Sequence, residues 1–244
     1  FFEPFIHEIF MNISSKNKKT VYMSSDFLTL NINGKGDIEY ADFYFREKNK
    51  VLLIEAKSNY LPLINGYKTV NTIEDFEKID IQKFYKDFGL IQLADKTIKD
   101  FNIYKEYIKD PQLSEKGKVK LYPLLLLNEP ILSLGSSNLA FRKKFDELLI
   151  KGGISRETDV VRIMPLSIMN ISELQDVEQA LTDREETIFN IFQMQFSATD
   201  LRKIKTTFEA ATPLNLIINK HIQNSKRITD KVRLFKWLGF NKQK

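Results

Sequence analysis

The sequence predicts an α/β protein: a central mixed sheet flanked by helices, with a helical C-terminal extension. Three observations predict it. Helical and strand patterns follow one another as helix, antiparallel strands, long helix, strand, helix, strand, the alternation from which layered α/β domains are built. Residues 51–54 read Val-Leu-Leu-Ile, a continuous apolar run expected of a strand buried on both faces. Residues 119–127 give a second strong buried strand, and beyond residue 181 the patterns become helical and basic.

Taken in order, residues 3–11 read as a helix with Phe2, Ile6, Ile9 and Phe10 on one side. Residues 21–23 and 27–32 are candidate strands, and Gly34-Lys35-Gly36 is a turn. Residues 37–45 and 51–57 form a hairpin closed by Glu47-Lys48-Asn49-Lys50. Residues 60–74 are irregular, with Pro62 and Gly66. A long helix is expected over 80–109, its stripe built from Phe84, Phe88, Ile91, Ala94, Ile98 and Phe101 and its end set by Pro111. Residues 138–150 form an amphipathic helix. Residues 160–169 alternate like a strand that Pro165 confines to an edge or a bulge. Ser172-Glu173 caps a helix reaching Leu181. The expected division is 1–181 as one domain and 182–244 as the extension.

Composition limits the chemistry. The 244 residues carry 43% hydrophobic and 28% charged side chains and a net charge of +5, as in a soluble, mildly basic globular protein. With no cysteine, zinc–thiolate sites and thiol catalysis are excluded, and with only His7 and His221 a histidine-rich centre is disfavoured. Metal chemistry must then rest on carboxylates, which suit Mg²⁺, Mn²⁺ or Ca²⁺. No apolar run approaches the ~20 residues of a membrane span. With no secretory leader in the sequence, a cytoplasmic protein without membrane association is expected.

The hairpin carries the most informative residues. A turn centred between Lys48 and Asn49 sets Asp42 directly opposite Glu55, with Cβ atoms about 4.5–5.5 Å apart. Like charges so placed repel, and a divalent cation between the carboxylates would remove the conflict. Lys57 follows Glu55 by two, so both side chains share a face of the strand. A metal beside an ammonium suits phosphodiester hydrolysis.

In the motif Tyr40-Ala41-Asp42 followed by Leu53-Ile54-Glu55-Ala56-Lys57, and in element order over residues 1–180, the chain resembles the PD-(D/E)xK nuclease superfamily. The proline of the motif's name is replaced here by Ala41. The resemblance implies a restriction-endonuclease-like fold and a Mg²⁺-dependent endodeoxyribonuclease, with Mn²⁺ an alternative metal. It implies Asp42, Glu55 and the Ala56 carbonyl as metal ligands, and Lys57 as the residue that orients the attacking water or stabilises phosphate charge. Many members carry an acid on the first helix, matched by Glu8, and others a polar residue on the helix after the Glu-x-Lys strand, matched by Gln92. The implied partners are DNA, with RNA as an alternative substrate, and a second copy or a partner subunit. A place in restriction or antiviral defence fits the family.

The alternative reading is a non-catalytic module that binds nucleic acid or protein on a nuclease-like fold. The tail carries Lys220, Lys226, Arg227, Lys231, Arg233, Lys236, Lys242 and Lys244 beside Asp230, interleaved with Phe235, Trp237 and Phe240. Such a stretch either tracks a phosphate backbone or forms a terminal helix whose aromatic residues dock on the core.

Overall fold

The computed structural model describes residues 2–16, 19–31, 37–61, 81–98, 110, 113, 117–133, 135–183, 186–200 and 216. Its main sheet has six strands. β1 (Thr20–Ser24), β4 (Phe43–Glu47) and β5 (Lys50–Lys57) are successively antiparallel. β6 (Val119–Leu127) lies parallel to β5, and β7 (Val161–Ile163) and β8 (Ser167–Asn170) lie parallel to β6. β2 (Thr29–Asn31) and β3 (Asp37–Glu39) form a separate antiparallel pair. The helices are α1 (Phe2–Ser15), α2 (Ile81–Asp87), α3 (Leu90–Gln92, continued as a π-helix Leu93–Ile98), α4 (Gly135–Lys151), α5 (Ile171–Thr182) and α6 (Ile188–Ala198). The protein is therefore α/β, a mixed sheet flanked by helices. Among the described residues no helix is long and apolar enough to cross a membrane.

Strand periodicity divides the core into two layers. Phe43, Phe45, Leu52, Ile54, Ala56, Leu124 and Leu126 face α1, α5 and α6 through Ile6, Phe10, Leu174, Phe189 and Phe192. Their neighbours Tyr44, Val51, Leu53, Leu121, Leu125 and Leu127 face the other layer, with Phe88, Leu93, Ile98, Phe141 and Phe145. Successive side chains of a strand point to opposite faces, so β5 and β6 must be apolar at almost every position to sit between two helical layers. Each fully buried Leu, Ile or Phe contributes about 1.5–3 kcal/mol, and Leu53 and Leu124, both wholly inaccessible, stand at the centre of this packing.

The edge beside β6 is interrupted. Pro165 lies between β7 and β8, as its lack of a donor requires. Lys120 N donates to Asn49 O on the β5 side. By alternation, Pro123 then turns its missing N–H toward the interruption rather than toward β5.

Several sequence expectations shift. The run 37–45 divides into β3 and β4, because residues 40–42 leave the extended ladder between two different partners. The helix expected from residue 80 breaks at Gly89, whose φ of 75° lies in the left-handed region. The continuous apolar stripe concealed that break, and residues 99–109 and Pro111 lie outside the described residues. The last cap is Asn170 rather than Ser172: Asn170 accepts from Ser172 N at 2.9 Å, and Glu173 returns a carboxylate to Asn170 N at 2.8 Å. The Gly34–Gly36 turn and most of the irregular 60–74 segment also fall outside the described residues, as does the basic tail.

Candidate functional site

The hairpin register sets the site. Glu47 pairs with Lys50 and Phe43 with Ile54, so the turn centres between Lys48 and Asn49 as the sequence implies. Lys48 takes a φ of 56°, and Arg46 Nη1 donates to its carbonyl at 3.1 Å. One step past the Phe43–Ile54 pair, at the opposite end of the hairpin, stand Asp42 and Glu55. Asp42 has left the ladder, and its Oδ2 accepts from Ala56 N at 2.6 Å. The carboxylate replaces the backbone carbonyl that a continued strand would have offered. It is thereby anchored across the end of β5, 7% exposed.

Glu55 is wholly inaccessible and lies, by alternation, on the face of Leu53 and Val51. Its Oε1 pairs with Lys57 Nζ, and the Lys57 side chain keeps 25% exposure. Burial pulls the Lys57 pKa down, but the Glu55 carboxylate, with lesser contributions from Asp42 and Glu3, outweighs it and holds the pKa above its ordinary value. Lys57 is therefore a cation at neutral pH.

Gly89 closes this face from above. A Cβ at Gly89 would stand 2.7 Å from Glu55 Cγ and 3.1 Å from Lys57 Cε. Positive φ and close approach thus both require glycine at the start of α3. On the outer side a polar groove is lined by Glu3 and Pro4 of α1 and by Lys57, Ser58 and Asn59. The chain leaving β5 is tied down: Asn59 Nδ2 donates to Asp87 O at 2.5 Å, and Asn128 N to Lys57 O at 3.2 Å.

Asp42, Glu55, Ala56 and Lys57 are thus brought together at the ends of β4 and β5. Glu8 is exposed on α1, and Gln92 is half-buried one turn beyond Gly89. The acid that α1 brings to the groove is Glu3, which sequence reasoning missed. The signal was available, because Glu3 shares the stripe Ile6, Phe10, Ile13 that faces the sheet, whereas Glu8 falls off it. Tyr22 OH and His7 Nδ1 lie 2.9 Å apart, which accounts for His7 structurally.

Among the described residues no group of three or more His, Cys, Asp or Glu side chains is placed to hold a metal ion. The pair Asp42 and Glu55, with the Ala56 carbonyl, offers hard oxygen donors, and Mg²⁺ commonly uses only one or two protein carboxylates with waters and phosphate completing its shell. The donor set fits such an ion. Comparison with family models, with curated proteins and with solved structures gives no match for this chain.

Proposed function

We propose that this chain is a metal-dependent nuclease that hydrolyses phosphodiester bonds of DNA, with the restriction-endonuclease-like fold and the PD-(D/E)xK site. The observation that carries the reading is the juxtaposition of two buried carboxylates, Asp42 and Glu55, with the Lys57 ammonium at a polar groove. A strand order of antiparallel, antiparallel and parallel through β1, β4, β5 and β6 supports it.

Asp42, Glu55 and the Ala56 carbonyl would hold Mg²⁺ or Mn²⁺. Bound there, such an ion supplies Lewis acidity to the phosphate oxygens and lowers the pKa of water. Ala56 N–H fixes the Asp42 carboxylate, so the two acids are positioned before substrate arrives. Lys57, held in its charged form by the Glu55 carboxylate, would orient the attacking water or stabilise the negative charge that grows on the phosphate. Glu3 extends the negative wall of the groove toward the substrate side.

A second reading has its own support. The described site has two carboxylates, and Lys57 already pairs with Glu55. That arrangement would serve a module that binds nucleic acid without cutting it. Cleavage of supercoiled plasmid with Mg²⁺, with Mn²⁺ and with EDTA, beside Glu55→Gln, separates the two. The nuclease reading expects metal-dependent cutting that the variant loses. Absence of cutting in both metals, with DNA binding intact, would select the binding module.

A further inference from the structure

The chain leaving β5 carries an aromatic side chain that has no part in holding a metal or the Lys57 ammonium. Among the described residues Tyr60 is the aromatic side chain that stands exposed, at 58%, while the other described rings are buried or half-buried. It lies three residues beyond Lys57, so its Cα is within about 11 Å of the Lys57 Cα. Ser58 and Asn59, which come between, line the groove. An exposed tyrosine is ordinary in itself. Tyr60 differs in how firmly it is held. Hydrogen bonds tether the chain on both sides of it: Asn59 Nδ2 donates to Asp87 O at 2.5 Å, and Leu61 N donates to Glu129 Oε2 at 3.2 Å. Leu61 also packs against the core layer of Phe88 and Leu93.

The ring itself is fixed at its tip. Asn128 Nδ2 donates to Tyr60 Oη at 2.6 Å, and Asn128 N donates to Lys57 O at 3.2 Å. One residue at the end of β6 thus holds both the tyrosine hydroxyl and the strand end that carries Lys57. The bond engages the hydroxyl and not the π-face. A ring restrained in this way gives up little further freedom when something stacks on it. Aromatic side chains beside a backbone-tracking groove stack on bases with little regard to sequence. That stacking needs a base whose face is open. Inside a duplex both faces of a base are covered by its neighbours, whereas in a single strand they can be splayed out.

We propose that the groove takes single-stranded DNA, and that Tyr60 stacks on the base of a nucleotide adjoining the phosphate at Lys57. This rests on the reading of the groove as the place where DNA is held, and adds the strand state of the substrate. Binding to the full chain, in Ca²⁺ and in EDTA, would be measured with a short mixed-sequence single strand and with the matching duplex. The single strand carries a fluorescent adenine analogue whose emission falls when it stacks. The wild type should bind the single strand more tightly than the duplex and quench the analogue. Tyr60→Ala should weaken single-strand binding by about 5- to 150-fold, the worth of one stacked base. It should also abolish the quench and leave duplex binding unchanged. Tyr60→Phe, which keeps the π-face and gives up the bond to Asn128, should retain the quench. Position 60 is exposed, so both variants should unfold at the wild-type midpoint. Single-strand binding indifferent to Tyr60→Ala would overturn the proposal, and so would a wild type without preference for the single strand. Cutting in Mg²⁺ by the same proteins separates this proposal from the nuclease reading. Metal-dependent cutting beside binding that ignores Tyr60 sinks the stacking alone. Tyr60-dependent binding with no cutting sinks the nuclease alone.

Discussion

The β4–β5 hairpin carries a buried ion pair at each end, and the two are built differently. At the turn, Arg46 and Asp110 are almost inaccessible, with guanidinium donors and carboxylate acceptors engaged on either side. Asp110 accepts from Arg46 Nε and Nη2, the latter at 2.8 Å, and from Tyr44 OH at 2.9 Å, while Arg46 Nη1 reaches the Lys48 carbonyl. Burial pulls the Arg46 pKa down but Asp110 overrides it, and burial followed by Asp110 pushes Tyr44 well up. At the other end Asp42 and Glu55 stand beside Lys57, which stays part-exposed at a polar groove. Both ends belong to the same pair of strands. The closed end has its charge balanced within the chain and reads as structural. The open end leaves the Lys57 ammonium part-exposed beside a polar groove, which gives a phosphate access to it.

That contrast can be broken most forcefully at the closed end. Asp110→Ala removes the carboxylate that accepts from both Arg46 and Tyr44 in the buried core, and should cost about 3–5 kcal/mol in denaturant unfolding while leaving any cleavage by the folded fraction intact. A loss under about 1 kcal/mol would mean that the pair is no more structural than a surface one. At the open end the effects should fall on activity. Glu55→Gln and Lys57→Ala should each lower plasmid cleavage by the folded fraction by about 10²–10³-fold, and Lys57→Ala should also lower the unfolding midpoint, because it takes the Lys57 ammonium from a buried Glu55 carboxylate. A variant that unfolds without losing specific activity would make the open end structural too. Gly89→Ala couples the two properties. Its positive φ costs about 1–2 kcal/mol for an L residue, and the new Cβ displaces Glu55, so stability and cleavage should fall together.

The smallest effect is a pH dependence. The folded Lys57 pKa is raised, so its contribution to stability is fully present below the ordinary lysine value of 10.5 and is lost as pH rises through the folded value. Tyr22 and Tyr44, also raised, add losses of the same sign. The Lys57 part is therefore the difference between wild type and Lys57→Met in alkaline unfolding. Identical alkaline profiles would show that the ion pair with Glu55 contributes nothing in solution.

The open end was legible because every relation in it is local. A two-residue turn fixes register, register brings Asp42 to the end of β5, where it leaves the ladder and accepts from Ala56 N, and period-two alternation places Lys57 with Glu55. The unbroken apolar runs of Val51–Ile54 and of β6 likewise reveal strands buried on both faces. The closed end was not legible, because Arg46 and Asp110 are joined across a connection that no periodicity reports. Glu3 escaped notice for a milder reason: it lies in the first turn, where one residue of phase decides which acid faces the sheet. Gly89 was hidden by an apolar stripe that continues across it, since hydrophobic spacing records which face is buried and not whether the backbone stays helical.

The hairpin's turn length also bears on the order in which the molecule assembles. β4 and β5 meet across two residues, whereas β6 reaches β5 only after the connection 58–118, within which Asp110 lies. Closing the longer loop costs about 3 kcal/mol more in chain entropy than closing the turn, and non-local pairings form slowly. The two carboxylates should therefore face one another early in refolding, before β6 shields them and before Asp110 arrives to neutralise Arg46. Pulsed hydrogen exchange should protect the β4 and β5 amides ahead of those of β6, and simultaneous protection would show that the hairpin has no kinetic independence.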